Sequence, residues 1–496
     1  MEIGMKNNSV IKPITALFAM ALFLSFCFDL SVGDIRTYSF AFLVICSIVL
    51  IIAFRKDLPA TAVFYTMITG MFLKLAYVIY TPVWCRQHDF IDFGAGEGHA
   101  AYMEYILSNK ALPSFDPREV WAFFQPPLHH IISAAWMWLN IRLGVAEDHM
   151  HKNVQILPFV YMCMIMILTY LICRELNMKK TGTLICMLIT SFHPVCILMS
   201  GSLNNDALSV MLSVVAIYVA LLWYLYPTTG KIILLAISIG LAMSAKLSAG
   251  LLAFPVGAMM IYKIVKDTGR FRDKAKVISY ILELIPFVLI VFPLGLWWPV
   301  RNRILFGMPF GYIPDVGENV AGVSLAARLF DVRTASPFLY MKANGFQYDE
   351  YNLILATIKS SLFGEGDFAN ISPYLTCAGW ILFVLAIAVL VLQIAGVVGI
   401  CSSKEAGPDQ GVKILFAVTV ASFVIGYISF ALKGANLSAM DPRYAVAALP
   451  VLSVFTGLWY DRLGAVKKTV LQKIIMIVPV SFAAVSCVFY IMLGLL

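Results

Sequence analysis

Apolar residues fill most of this chain in runs of about 18 or more, broken by short polar stretches. A run of that length crosses a hydrocarbon core of about 30 Å as a helix, so a polytopic helical bundle is expected and a β-barrel is excluded. The pattern predicts spanning helices near 13–31, 38–54, 60–80, 153–173, 182–200, 206–226, 231–246, 249–265, 277–298, 374–400, 412–432, 443–460 and 473–495. The run at 231–246 is short for a span. The expected fold class is an all-α polytopic membrane protein of about thirteen transmembrane helices.

Two long polar interruptions stand apart from this rhythm, at 81–152 and 299–373. Within the first, 126–143 is long enough to suggest a further span, but counting it so would invert every later loop. It is therefore expected to lie at the outer interface as an amphipathic helix, with Trp121, Trp136 and Trp138 at headgroup depth. The second interruption, with one helix near 349–362, is expected to form a small extracytoplasmic cap. The chain then divides into a transmembrane region over 1–298 that holds the large outer loop, the cap over 299–373, and C-terminal helices over 374–496.

Composition sharpens this picture: 61% of the 496 residues are apolar and 13% charged, against roughly 25% charged in soluble domains. The formal net charge of +8 does not indicate a nucleic-acid partner, because Lys and Arg sit in short clusters between apolar runs. Lys6/Lys12, Arg55/Lys56, Arg174 with Lys179/Lys180, the run Lys263 to Lys276, Lys404/Lys413 and Arg462 with Lys467/Lys468/Lys473 are all expected on one face, the cytoplasmic one. Most of the ten cysteines lie inside apolar runs, and no CxxC pair occurs, so no disulfide framework is expected. The first apolar run lacks a small-x-small cleavage site and is expected to be an uncleaved first helix.

The candidate chemistry lies on the opposite face. From Trp84 to Ile132 the chain gathers Asp89, Asp92, Glu97, Glu104, Asp116 and Glu119 with His88, His99, His129 and His130. A carboxylate held just outside the bilayer, Asp89 or Asp92, and hydrogen-bonded by His88 or His99, can accept a proton from an attacking hydroxyl; the competing reading is that outer loops simply solvate charge. The histidines and Glu97 are zinc-compatible types, but their spacing matches no established zinc signature. No cofactor is expected, although a divalent metal is compatible. Gln125 with Pro126 and Pro127 is expected to start a helix whose free N–H groups suit a phosphate.

Four more outer-face clusters follow. Asn205 or Asp206 either caps a helix or belongs to a site. Lys246 sits at a chain reversal with no acidic neighbour in sequence and calls for an anion. Arg301 follows Trp297 and Trp298, where anchoring by Trp alone is the alternative. Asp441, Arg443 and Tyr444 open a late helix, where a local Asp441–Arg443 pair is the alternative. Ionisable groups at membrane ends of helices are costly unless paired or used, and three cations with acids beside them fit a lipid-linked phosphosugar.

The acidic first outer loop, Gln125-Pro126-Pro127-Leu128, Ser202-Leu203-Asn204-Asn205-Asp206, Ala245-Lys246-Leu247, Trp297-Trp298-Pro299-Val300-Arg301 and Asp441-Pro442-Arg443-Tyr444 occur in an order that resembles the GT-C superfamily of membrane glycosyltransferases. Within it the chain is similar to family 39-like bacterial enzymes, relatives of protein O-mannosyltransferases and the lipid A aminoarabinose transferase. The resemblance implies inverting transfer of a sugar, hexose or pentose, from a polyprenyl-phosphate donor to a glycan, lipid or protein acceptor on the extracytoplasmic face of the plasma membrane. It implies Asp89 as base, with Asp92 as the competing choice, and Lys246 and Arg443, joined by Arg301 and Tyr444, on the phosphate. His88, Glu97, His99, Gln125, His129, His130, Asn205 and Asp206 would shape the sugar and acceptor pocket. The chain departs from the family where His88-Asp89 stands in place of an Asp-Glu pair, and where Gln125 stands for a Lys that some relatives carry. The alternative from another class is a lipid-linked saccharide flippase; its discriminating feature, ionisable residues at the midplane of paired broken helices, is not seen in the sequence.

Overall fold

The computed structural model describes residues 58–87, 90–314, 323–332, 336–339, 350–366, 368–403, 407–433, 437–465 and 469–496. The spans expected at 13–31 and 38–54 lie outside the described residues. All regular structure among the described residues is helical. The first described span, α1 (Leu58–Tyr80), leads into an outer loop that carries α2 (Gly98–Asn109), α3 (Leu128–Arg142) and α4 (Glu147–Asn153). There follow α5 (Ile156–Glu175), α6 (Lys180–Phe192), α7 (Pro194–Leu198), α8 (Asp206–Leu225), α9 (Thr229–Ala245), α10 (Ala253–Asp267) and α11 (Lys274–Phe306). The second polar segment contributes α12 (Leu325–Phe330) and α13 (Leu353–Phe363) before the last spans, α14 (Pro373–Cys401), α15 (Gln410–Lys433), α16 (Leu449–Ala465) and α17 (Thr469–Leu495).

Eight helices among the described residues are long and apolar enough to cross a membrane, or nine if one bent pair counts as a span. That bent pair corrects the single helix expected over 182–200. Pro194 has no N–H to continue α6, so the chain turns by 53° between α6 and the helical segment Pro194–Gly201. The ammonium of Lys74, fully buried in α1, donates to the Ser191 carbonyl at 2.6 Å on the inner side of the bend. Such a group is retained in an apolar interior because a carbonyl freed from its helix ladder is itself costly. The expected span at 231–246 is the 17-residue α9, below the length of the eight. The one at 443–460 is also 17 residues, because Pro442–Tyr444 and Val446–Ala448 form short 3-10 turns ahead of α16.

The interfacial helix expected over 126–143 is α3, but the prolines precede its first helical residue, with Pro127 at the N-cap. Its tryptophans divide. Trp138 is exposed, whereas Trp136 is buried against the bundle and donates to the Asn153 carbonyl at 3.0 Å, so only part of this helix has the surface setting expected.

The basic loops meet at one end of the bundle. Lys266 pairs with Asp409 at 2.9 Å, the Lys179 amide donates to Asp461 at 2.8 Å, and Arg462 donates to the Gly399 carbonyl. Helix starts and ends alternate, so the turn before α8, the end of α9 and the turn before α16 lie at the opposite end. A multi-pass membrane protein results, with its polar outer segments gathered at that second end.

Candidate functional site

A cavity of about 260 Å³ opens at this second end, lined in part by Trp84, Arg86, Gln87, Asn204, Asp206 and Arg443. Its floor is built where α8 begins. Asn204 accepts from the Asp206 amide at 3.1 Å and so turns the chain into the helix. Asn205 occupies the N-cap position without a capping hydrogen bond; its amide donates instead to the Ala245 carbonyl at 2.7 Å, which ties the start of α8 to the end of α9. Lys246, the C-cap of α9, then reaches Asp206 in an ion pair. Arg443 approaches the other carboxylate oxygen, with Nε 3.5 Å away, and donates to the Tyr444 hydroxyl at 3.0 Å. The Lys246 ammonium stands 4.5 Å from the centroid of the Tyr444 ring.

All three charged side chains are nearly excluded from solvent. Two cations meet one carboxylate in a region of low dielectric, where charge–charge interactions are strong. The Asp441 carboxylate accepts from the Arg443 amide at 2.8 Å and fixes the turn that presents the guanidinium.

The first outer loop is fastened to this floor by Gln87. Its amide accepts from the Leu203 N–H at 2.9 Å and donates to the Gly201 carbonyl at 2.8 Å. His129 donates through Nε2 to the Leu203 carbonyl at 2.9 Å, leaving a buried Nδ1 without a partner among the described residues. Burial holds the His129 imidazole down to about 4 and pushes His130 in the same direction, with His99 beside it adding to the effect. His99 Nδ1 and His130 Nε2 are 2.8 Å apart, so one of them supplies the proton. Tyr102 stacks on His130 with centroids 4.2 Å apart and on Phe123 at 4.4 Å. Gly98 permits the close folding of this loop: its φ is +84° and a Cβ would lie 2.3 Å from the Phe90 carbonyl oxygen.

The structure thus brings together Lys246, Arg443, Tyr444, Asn205 and Asp206, with Gln125 3.4 Å from the Asn205 amide. The histidines His99, His129 and His130 form a buried group that joins α2, α3 and the turn before α8. Asp92 and Glu97 are exposed and do not line the cavity; Asp92 is occupied by the Phe93 amide at 2.8 Å. Arg301, expected on a phosphate, instead donates to the Pro113 carbonyl and to Asn302 at 2.8 Å, and lies over Trp298. Its guanidinium holds the outer loop to α11. His88 and Asp89 lie outside the described residues.

Sequence reading missed Trp84, Arg86, Gln87, Ser360 and Glu365, all of which line the cavity. Glu365, between Gly364 and Gly366 at the end of α13, carried the clearest signal. Among the described residues no cluster of three or more His, Cys, Asp or Glu is placed to hold a metal.

Helical architecture and a buried ion triad at one end of the bundle define a multi-pass membrane protein with a polar cavity at that end. Residues 134–303, from within α3 to near the end of α11, match the family model of dolichyl-phosphate-mannose-protein mannosyltransferase. The match covers about a third of the chain and takes in the turn before α8, the end of α9 and most of α11. No curated protein matches the chain. Among solved structures, ArnT from Cupriavidus metallidurans bound to undecaprenyl phosphate is 12% identical, with 84% of this chain and 74% of that chain covered and a TM-score of 0.48. The Archaeoglobus fulgidus oligosaccharyltransferase with Zn and sulfate is 12% identical, covering 86% and 53%, with a TM-score of 0.49. AglB from the same organism, in complex with an inhibitory peptide and a dolichol-phosphate, gives 12%, 86%, 56% and 0.48. The chain spans about half the length of these archaeal enzymes.

Proposed function

We propose that the protein transfers a sugar from a polyprenyl-phosphate donor to an acceptor hydroxyl, with inversion, on the extracytoplasmic face of the plasma membrane. The observation that carries this reading is the pair of buried cations, Lys246 and Arg443, converging on Asp206 at the floor of the cavity. In the reaction the acceptor oxygen forms a bond to the anomeric carbon as the bond from that carbon to the phosphate oxygen breaks. Negative charge grows on the departing lipid phosphate, and a preorganised cationic site stabilises it as it grows. The acceptor proton goes to a carboxylate, for which Asp89 is the choice over Asp92. Gln87, two residues before Asp89, lines the cavity and is fixed to Gly201 and Leu203, whereas Asp92 is exposed and locally bonded. The family matched by 134–303 is named for a dolichyl-phosphate sugar donor, which agrees with a donor of this class.

The test is turnover of an undecaprenyl-phosphate-linked sugar by detergent-purified protein, with a cell-envelope extract as the source of acceptor. Asp89→Asn is expected to lower turnover by about 10²–10⁴-fold with undecaprenyl phosphate affinity unchanged; near wild-type turnover would remove Asp89 from the role. Lys246→Ala and Arg443→Ala are each expected to weaken undecaprenyl phosphate binding by about 10-fold or more, and unchanged affinity in both would exclude the clamp. Activity that requires a sealed vesicle would restore the transporter reading.

A further inference from the structure

The cavity has a second cationic wall that the phosphate clamp does not use. Arg86 lines it, with its backbone at φ +57°, a left-handed conformation that an arginine adopts only under constraint. Its guanidinium carbon stands 5.4 Å from the Tyr77 ring centroid and 5.9 Å from those of Tyr80 and Phe368, and Nη2 donates to the Thr81 hydroxyl at 3.3 Å. Its buried Nε has no hydrogen-bond partner among the described residues, and no described carboxylate is paired with it. The clamp differs in its pairing and its origin: Lys246 and Arg443 share a carboxylate and come from the end of α9 and the turn before α16. Arg86 rests on rings from α1 and from the segment after α13. A planar, always charged group held flat by aromatic rings, with donors left over in a polar cavity, is suited to a phosphate or carboxylate.

Beside it Trp84 is 68% exposed and lines the same cavity. Ser202, Asn204 and Glu365 add hydroxyl, amide and carboxylate groups, the mixture that hydrogen-bonds a polyol.

We propose that Arg86 reads the acceptor, and that the acceptor is a saccharide carrying an anionic group, phosphate or carboxylate. This rests on the proposed transfer reaction, in which the lipid phosphate occupies Lys246 and Arg443 and leaves Arg86 for the second substrate.

The full chain in detergent is titrated calorimetrically with glucose 6-phosphate and with glucose, each with and without saturating undecaprenyl phosphate. Glucose 6-phosphate is expected to bind about 10-fold tighter than glucose in both conditions. Arg86→Gln is expected to abolish that preference while keeping undecaprenyl phosphate affinity within about threefold, and Arg86→Lys to restore part of it. The proposal is overturned if Arg86→Gln keeps the preference, if neither sugar binds wild type, or if undecaprenyl phosphate displaces glucose 6-phosphate, since the clamp would then be its site. Should Arg86→Gln not fold, the displacement arm and Arg86→Lys decide: a preference in Arg86→Lys equal to wild type counts against a planar bidentate reader. Failure of undecaprenyl phosphate to bind wild type would sink the transfer reaction instead, and the Arg86 preference would then be judged by the lipid-free titration alone.

Discussion

His129 illustrates how much a single buried side chain can say about the site. It is fully buried, donates to the Leu203 carbonyl and is held neutral, with its pKa depressed to about 4 from the ordinary 6.5. The folded state therefore binds fewer protons than the unfolded state between those values, so stability is complete above about pH 6.5 and is lost as pH falls toward 4. The contribution is on the order of 3 kcal/mol. Thermal unfolding in detergent between pH 7 and 4.5 should show that fall, and His129→Gln, which keeps a donor toward Leu203, should flatten it; equal slopes in both proteins would count against the assignment. At this scale the sequence was informative wherever an ionisable residue stood at the membrane end of an apolar run, because such a residue is costly unless it has a use. Lys246, Asp206 and Arg443 stand out in the sequence for that reason, and the structure brings them together. Arg86 does not, because an arginine two residues after a tryptophan at a helix end looks like an ordinary interfacial anchor; only its rings and the lack of a paired carboxylate among the described residues distinguish it. Arg301 shows the converse: its neighbours in sequence suggest a phosphate site, and in the structure its guanidinium donates to a backbone carbonyl of the outer loop.

Among the elements, the break between α6 and α7 matters most for the site. It carries Val195, Leu198 and Met199 to the cavity wall, and it requires α1 to come close. Gly70 provides that approach: a Cβ there would lie 2.7 Å from the Ser191 Cβ. Both atoms are held by helical backbone, so Gly70→Ala must separate α1 from α6, at a cost of about 1–3 kcal/mol. A thermal shift equivalent to less than about 0.5 kcal/mol would show that the two helices give way easily. Helices were read well from the length and polarity of runs, but breaks within a run were not, since hydropathy is the same on both sides of Pro194. The 3-10 turns before α16 escaped for a similar reason: Ala445 to Ala448 are apolar enough to extend a helix on paper, while the Asp441 cap and Pro442 set a tighter turn.

The whole molecule shows why residues scattered from Trp84 to Tyr444 meet. Basic clusters assigned the loops to two ends, and contacts between those loops bear out their common end, as with Lys266 and Asp409. What the sequence could not convey was depth, meaning which outer residues sit in the cavity and which, like Asp92, stay on its outside. Part of that depth is set by three ties from α11 to the outer loop: Trp298 to the Phe124 carbonyl at 3.0 Å, Arg301 to the Pro113 carbonyl, and Arg118 to the Phe306 carbonyl at 2.9 Å. Arg301→Ala should loosen the loop, seen as faster amide exchange over 112–124, while undecaprenyl phosphate affinity stays within about threefold. A loss of affinity as large as that of Lys246→Ala would return Arg301 to the phosphate.

Helix α11 itself has 33 residues, a length of about 50 Å at 1.5 Å per residue against about 30 Å of hydrocarbon. Much of its surface, including Ile281, Leu282, Ile285 and Leu289, is exposed, so lipid is its main neighbour along the lower half. Such a helix is a measuring rod: its lower half faces lipid and its top is tied to the outer loop. Bilayer thickness then becomes a variable of the proposed transfer, because a membrane a few ångströms thicker or thinner changes the tilt of such a helix and with it the height of the loop tied to its top.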